Sequence, residues 1–210
     1  MDFSINSGIT KVNVSAMVFD VTSDTATATR GRPRDEERTE AILQAAQDVL
    51  YDKGYDELRV NDIAEAAGCG LATIYRRWET KEELVAAALR CKTFPEMDET
   101  GDAAQDLRAM LTMMGTEFAD TGESFVSLLG AARTHPIISD ALSANVMTVF
   151  RPRFAAYLAA ILGADDPEIE FLIDAIGGAL MMRIVVLDNL VSPDSFADEV
   201  MAIISRLARG

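Results

Sequence analysis

The 210-residue chain predicts an all-α fold, an N-terminal three-helix domain followed by a larger helical domain, and three observations lead there. Apolar residues recur at helical spacing through most of the sequence, with no strand-like alternation. Capping side chains followed by proline, or by glutamate three positions on, punctuate that pattern as helix starts. Between Val60 and Trp78, two short helical stretches meet at the glycine-flanked turn Gly68-Cys69-Gly70.

Met1 to Thr29 is rich in Ser, Thr, Asp and small residues without helical period, which predicts a disordered extension. Met17 competes with Met1 as the native start. Arg30-Gly31-Arg32-Pro33-Arg34 then leads into a first helix over about Asp35 to Lys53, in which Ile42, Ala45, Ala46, Val49 and Leu50 repeat at helical spacing and Gly54 is the stop. Helix two is predicted over Val60 to Ala67 and helix three over Leu71 to Trp78. Thr80 and Glu83 form a capping box that starts helix four at Lys81. That helix runs toward Phe94-Pro95, the expected domain boundary, so the division is an extension over 1–29, a first domain over 30–92 and a second over 93–210. In the second, helices are expected near Asp102 to Asp120, Glu123 to Thr134 and Ser139 to Leu162, the last kinked at Pro152. Asp166-Pro167 and Ser192-Pro193 each place a capping side chain before a proline at the first helical position, and two late helices follow.

Composition narrows the function. Cys69 and Cys91 are too few for a disulfide framework, and one His with two scattered Cys matches no metal-ligand spacing, so neither a metal nor a cofactor is expected. No nucleophile stands beside a base and no glycine-rich phosphate loop occurs, which argues against an enzyme. Without a long apolar stretch or a secretory start, a cytoplasmic protein is expected. The net charge of −15 opposes binding to phosphate, but it is unevenly spread. Arg30 to Lys92 holds 11 Lys and Arg against 13 Asp and Glu, a balance of −2, whereas Thr93 to Gly210 holds 7 against 18, a balance of −11.

Two short helices with a glycine turn, the second bearing Thr73, Tyr75, Arg76 and Arg77, have the layout of a helix-turn-helix, whose second helix enters the DNA major groove. Ile63, Ala64, Ala67 and Ile74 supply its packing side. Over about Asp35 to Leu89 the chain resembles the tetracycline-repressor (TetR) family, with Ile63-Ala64, Gly68, Thr73-Ile74-Tyr75, Trp78 and Lys81-Glu82-Glu83-Leu84 in the family's places. The resemblance implies that Thr73, Tyr75 and Lys81 bind phosphates, that Leu71, Ala72 and Arg76 face bases, and that Trp78 packs helix three onto its domain. Arg77 reads equally as a phosphate contact or as a charge that solvates the helix end. Gly70 stands where the family commonly has a capping Ser and so brings no side-chain contact to the duplex, and Arg59 stands where it commonly has a Thr and reads equally as a charged contact or as a solvated residue at the helix end. Arg32 and Arg34 resemble basic arms that enter a narrow minor groove.

The resemblance implies a homodimeric, ligand-responsive repressor on a near-palindromic double-stranded DNA operator. The alternative is a helical ligand-binding or protein-interaction module without sequence-specific DNA binding. In the second domain Met110, Met113, Met114, Phe118, Phe125, Leu128, Phe150, Phe154, Tyr157 and Met181 are candidates to line a pocket for a largely apolar small-molecule effector. Arg133 and Arg183 read equally as the cations for an anionic one or as solvent-facing charges, and His135 is expected to cap a carbonyl at a helix end. Ile169, Leu172, Ile173, Ile176, Gly177, Leu180 and Ile184 on one late helix, with Phe196, Val200, Ile203, Ile204 and Leu207 on the last, are the candidate dimer face; no membrane partner is expected.

Overall fold

The computed structural model describes residues 32–92, 97–163, 166–183 and 192–209, with backbone alone at 32–34, 120 and 145–147. Every regular element among them is helical: α1 Arg32–Glu57, α2 Val60–Ala66, α3 Leu71–Tyr75, α4 Lys81–Arg90, α5 Ala103–Thr134, α6 Pro136–Asn145, a π-turn segment Val146–Phe150, α7 Arg151–Leu162, α8 Ile169–Met181 and α9 Pro193–Leu207. The expected extension over 1–29, Arg30 and the Phe94-Pro95 boundary lie outside the described residues. Arg32 and Arg34, expected in an arm, fall instead in the first turn of α1.

Two apolar clusters organise the molecule. The first gathers Ile42, Ala46 and Leu50 of α1, Ile63 of α2, Ile74 of α3 and Leu84, Val85 and Leu89 of α4, and it extends to Leu128 and Ala131 of α5 and Ile138 of α6. The second holds Leu107, Met110 and Leu111 of α5 with Phe154 and Leu158 of α7, Ile176 and Leu180 of α8, and Phe196 and Ile204 of α9. The 32-residue α5 serves both, and this explains why it is one helix where two are expected. Gly122 in a helix interior costs only about 1 kcal/mol, whereas the halves on either side bury Leu111 and Leu128 in different clusters. Thr121 fits the helix by donating its hydroxyl to the Glu117 carbonyl at 2.7 Å.

The expected helix from Ser139 to Leu162 is instead α6, the π-turn and α7. Pro152 is the second residue of α7, which follows the π-turn without a break, so the N–H it lacks is a ladder donor that the helix goes without. The wider turns just before it absorb the bend that its ring imposes. At the far end, Ser192 caps α9 through a 3.0 Å bond from the Ser195 amide. Asp166 caps a turn rather than the helix itself, accepting from the Glu168 amide at 2.8 Å, and α8 starts at Ile169.

Gly54 ends the regular part of α1 with φ 73° and ψ 171°, a conformation essentially reserved for glycine. The turn presses against α5. A Cβ at Gly54 would stand 3.1 Å from the Ser127 Cβ, and the Ser127 hydroxyl both accepts from the Asp56 amide at 3.0 Å and donates to its carboxylate at 2.9 Å. Gly54→Ala is therefore expected to destabilise the protein by about 1–3 kcal/mol, from backbone strain and contact together. Urea unfolding checks this; an unchanged midpoint would mean that the α1–α5 junction yields freely.

Candidate nucleic-acid interface

The helix-turn-helix is built from the turn outward. Gly68 takes φ 59°, its amide donates to the Glu65 carbonyl at 3.1 Å, and the Cys69 amide donates to the Ala64 carbonyl at 2.9 Å. These two bonds are the Schellman pattern, which satisfies the last carbonyls of α2 and reverses the chain. Ala64 and Cys69 both pack on the first cluster. Gly70 then starts α3 in extended backbone with no side-chain cap. α2 ends one residue before the expected limit, and α3 ends at Tyr75 rather than Trp78, its last amides closing through Arg77 and Trp78 to the Ile74 carbonyl.

Of α3, only Ile74 is buried. Trp78 packs half-buried on the first cluster. Gly70, Leu71, Ala72, Tyr75 and Arg76 form the exposed edge, with Tyr75 49 % accessible, while Thr73 is half-buried. Arg59 is exposed at the start of α2. Beside it, Lys53 pairs with Asp62 at 2.9 Å, and an open polar groove of about 560 Å³ is lined by both with Asp56, Glu57 and Arg59.

Two expected DNA contacts are engaged within the chain. The Arg77 guanidinium donates to the Thr73 carbonyl at 2.9 Å and to the Thr39 hydroxyl at 3.2 Å, and it forms an ion pair with Asp35. Its side chain is 13 % exposed, so it turns toward α1 and not outward. Lys81 donates to the Tyr55 carbonyl at 2.6 Å and lies 4.1 Å from the centre of the Tyr55 ring. Burial lowers its pKa, against nearby carboxylates that raise it. Partly buried, it sits on the last turn of α1 instead of projecting to a phosphate. Thr80 and Glu83 make the expected capping box, except that Glu83 reaches the Glu79 amide at 2.7 Å and not that of Thr80.

Tyr55 is the centre of a polar junction that the sequence did not reveal. Its hydroxyl donates to Glu82 at 2.8 Å, and burial together with that carboxylate raises its pKa. Hydrogen bonds from its own amide and from Tyr55 hold the Glu82 carboxyl below the usual range. His135, expected to cap a carbonyl, packs against the Tyr55 ring at 5.7 Å, with Nδ1 3.9 Å from the Glu82 carboxylate. The junction joins the end of α1, the start of α4 and the α5–α6 corner.

The expected pocket residues divide between the clusters. Leu128 and Phe125 belong to the first, and Met110, Met114, Phe118, Phe150, Phe154, Tyr157 and Met181 to the second, with Met113 half-buried. Phe118 and Phe125 meet edge to face at 4.8 Å where the clusters approach. Arg183, considered for an anionic effector, is bound to Glu199 at 2.6 Å and covers the Phe196 ring; Arg133 is exposed.

The expected dimer face also sorts itself by burial. Ile169, Ile176, Leu180, Phe196, Val200 and Ile204 are buried within the chain, so their periodicity is that of its own core. Leu172, Ile173 and Gly177 are half-buried, Ile203 and Leu207 are exposed, and Ile184 lies outside the described residues. Phe171 and Met182, which the inward period passes over, are 72 % and 50 % exposed.

Residues 42–88, which contain this motif, match the family model for bacterial regulatory proteins of the tetR family. The chain is 30% identical over 141 residues to the DNA-binding transcriptional repressor TetR of Mycobacteroides abscessus, a match that covers 65% of this chain and 74% of that one. The chain belongs to the TetR family. It is a DNA-binding transcriptional regulator, and the class is not one of enzymes. A helix-turn-helix regulator of Bacillus subtilis, YdeS, is 29% identical over 180 residues, covering 82% of this chain and 90% of that relative. The fold agrees with that of a TetR transcription regulator from Haloarcula marismortui, at TM-score 0.61 and 21% identity over 83% of this chain and 97% of that one. Among the described residues no helix is long and apolar enough to cross a membrane.

Proposed function

We propose that the chain is a ligand-responsive repressor that binds a near-palindromic operator as a homodimer, acting in the cytoplasm. The observation that carries this reading is the division of α3, with Ile74 buried and Leu71, Ala72, Tyr75 and Arg76 exposed along one edge. Residues 30–92 form the DNA-binding domain in this reading and 93–210 the ligand-binding and dimerisation domain. Arg76 pairs with a base edge, Leu71 and Ala72 meet thymine methyls, and Tyr75, Thr73, Arg59 and the Gly70 backbone approach phosphates. Lys81 reaches a phosphate only by leaving the Tyr55 carbonyl.

A largely apolar effector fits the second cluster, whose Met110, Met114 and Met181 adapt readily to irregular shapes. Its signal has two contacts to travel through, since α5 packs on α1 and α6 on α4. An effector can shift the DNA-competent state only by its differential affinity for the two arrangements.

Dimerisation is supported by the apolar side chains left outside at Phe171 of α8, at Met182 just after it, and at Ile203 and Leu207 of α9. The test is gel shift and light scattering with DNA from the region beside the gene. The wild-type protein is expected to be a dimer that retards a fragment containing an inverted repeat. Phe171→Glu with Ile203→Glu is expected to give a folded monomer that does not. A wild-type monomer, or a charged variant that still dimerises, would reject the assigned face.

A further inference from the structure

α3 is five residues long and buries one side chain, Ile74. A helix so short has no stability of its own, and its orientation is set by what holds it. Ile74 and the neighbouring Trp78 anchor one side to the first cluster. Apolar contacts are not directional, so these two do not by themselves fix the rotation of α3 about the line between them. Arg77 supplies a contact off that line: it donates to the Thr73 carbonyl within α3, to the Thr39 hydroxyl of α1, and pairs with Asp35 one turn earlier in α1. Thr39 is itself fixed by donating to the Asp35 carbonyl at 2.8 Å. The planar guanidinium serves all three acceptors together, which a lysine ammonium cannot do in the same geometry.

We propose that Arg77 is a positioning residue for DNA recognition, which locks α3 to the first turns of α1 and so sets the angle at which Tyr75 and Arg76 meet the groove. This rests on the reading of α3 as the recognition helix. Base-edge hydrogen bonds depend on angle and distance, whereas phosphate attraction is long-ranged and tolerant. Loosening the lock therefore weakens specific binding and spares non-specific binding. Thr39 and Asp35 act through Arg77 and touch no DNA.

The experiment measures affinity across a salt series for the full-length protein on a duplex selected by the wild type from a random pool, and on a scrambled duplex. Arg77→Lys, Arg77→Ala and Asp35→Asn are compared with the wild type, and thermal melts confirm that each is folded. All three are expected to lose about tenfold or more on the selected duplex relative to the scrambled one, the scale of one lost base contact, and Arg77→Lys, which keeps the charge, leaves the scrambled duplex unaffected. The slope of log affinity against log salt stays that of the wild type, because no phosphate charge pair has gone. A slope smaller by about one unit in Arg77→Ala, with equal loss on both duplexes, would overturn the proposal and make Arg77 a phosphate contact. So would unchanged specificity in Arg77→Lys and in Asp35→Asn, which releases Arg77 without removing it. Should Arg77→Ala not fold, those two variants decide. A wild-type protein that binds no duplex would reject the recognition helix itself, an outcome distinct from variants that merely fail to discriminate.

Discussion

Arg76→Ala is expected to lower operator affinity by about 1–3 kcal/mol, the range for losing a bidentate base contact, and to relax preference at one position in each half-site. In a symmetric dimer the loss is felt twice. Arg76 is exposed at the end of α3, so its truncation falls among surface changes that alter stability by no more than about 0.5 kcal/mol. Fluorescence anisotropy with single-base operator variants reads both parts. Tyr75→Phe separates the neighbouring role, since it keeps the exposed ring and removes only the hydroxyl that would meet a phosphate. An Arg76→Ala protein that bound every base variant as the wild type does would move base reading elsewhere. Equal losses on all sequences would instead make Arg76 a phosphate contact.

Phe196→Ala is expected to cost about 3–5 kcal/mol of stability, since it empties a large site in a packed core. Phe196 is 2 % exposed on the inward face of α9, in the cluster with Ile176 and Leu180 of α8 and Leu107 and Leu111 of α5. Around it, Arg108 of α5 pairs with Asp198 of α9 at 2.7 Å, and Arg183 pairs with Glu199. These exposed pairs contribute little and do not hold α9 in place of the ring. Spread over a chain of this size, the loss corresponds to a melting temperature lower by roughly 6–20 °C. Circular dichroism melts measure it, with Ser205→Ala as the control. Ser205 is exposed on the same helix and is not one of the apolar positions assigned to the dimer face, so its truncation should leave the protein nearly as stable. If both variants melted alike, α9 would be held by something other than its inward face.

Local signals carried much of the fold. The turn at Gly68, the start of α4 at Thr80 and the start of α9 at Ser192 were legible because each is settled by hydrogen bonds within a few residues. The interruption expected between Asp120 and Glu123 does not occur, because the halves of α5 on either side are held in two different clusters far apart in the chain. At the candidate site, Tyr75 and Arg76 were legible from helical spacing, which puts them opposite Ile74. Arg77 and Lys81 were not, because their partners are far along the chain: Asp35 is 42 positions from Arg77 and Tyr55 is 26 from Lys81.

Helical period, capping chemistry and the glycine turn belong to the sequence, because backbone hydrogen bonding within a helix answers to neighbours one turn away. They were enough to determine an all-α chain, its family and the short helix that bears Tyr75 and Arg76. Tertiary structure alone decided which of two equally basic side chains looks outward, and which half of an apolar stripe is core rather than exposed surface. The physical reason is that a guanidinium or a methyl group is indifferent to its place in the chain, and which way it turns is set by the partners that folding brings against it. For Arg77 that was a carboxylate and a hydroxyl on α1, and for Ile176 the core shared by α5, α7, α8 and α9.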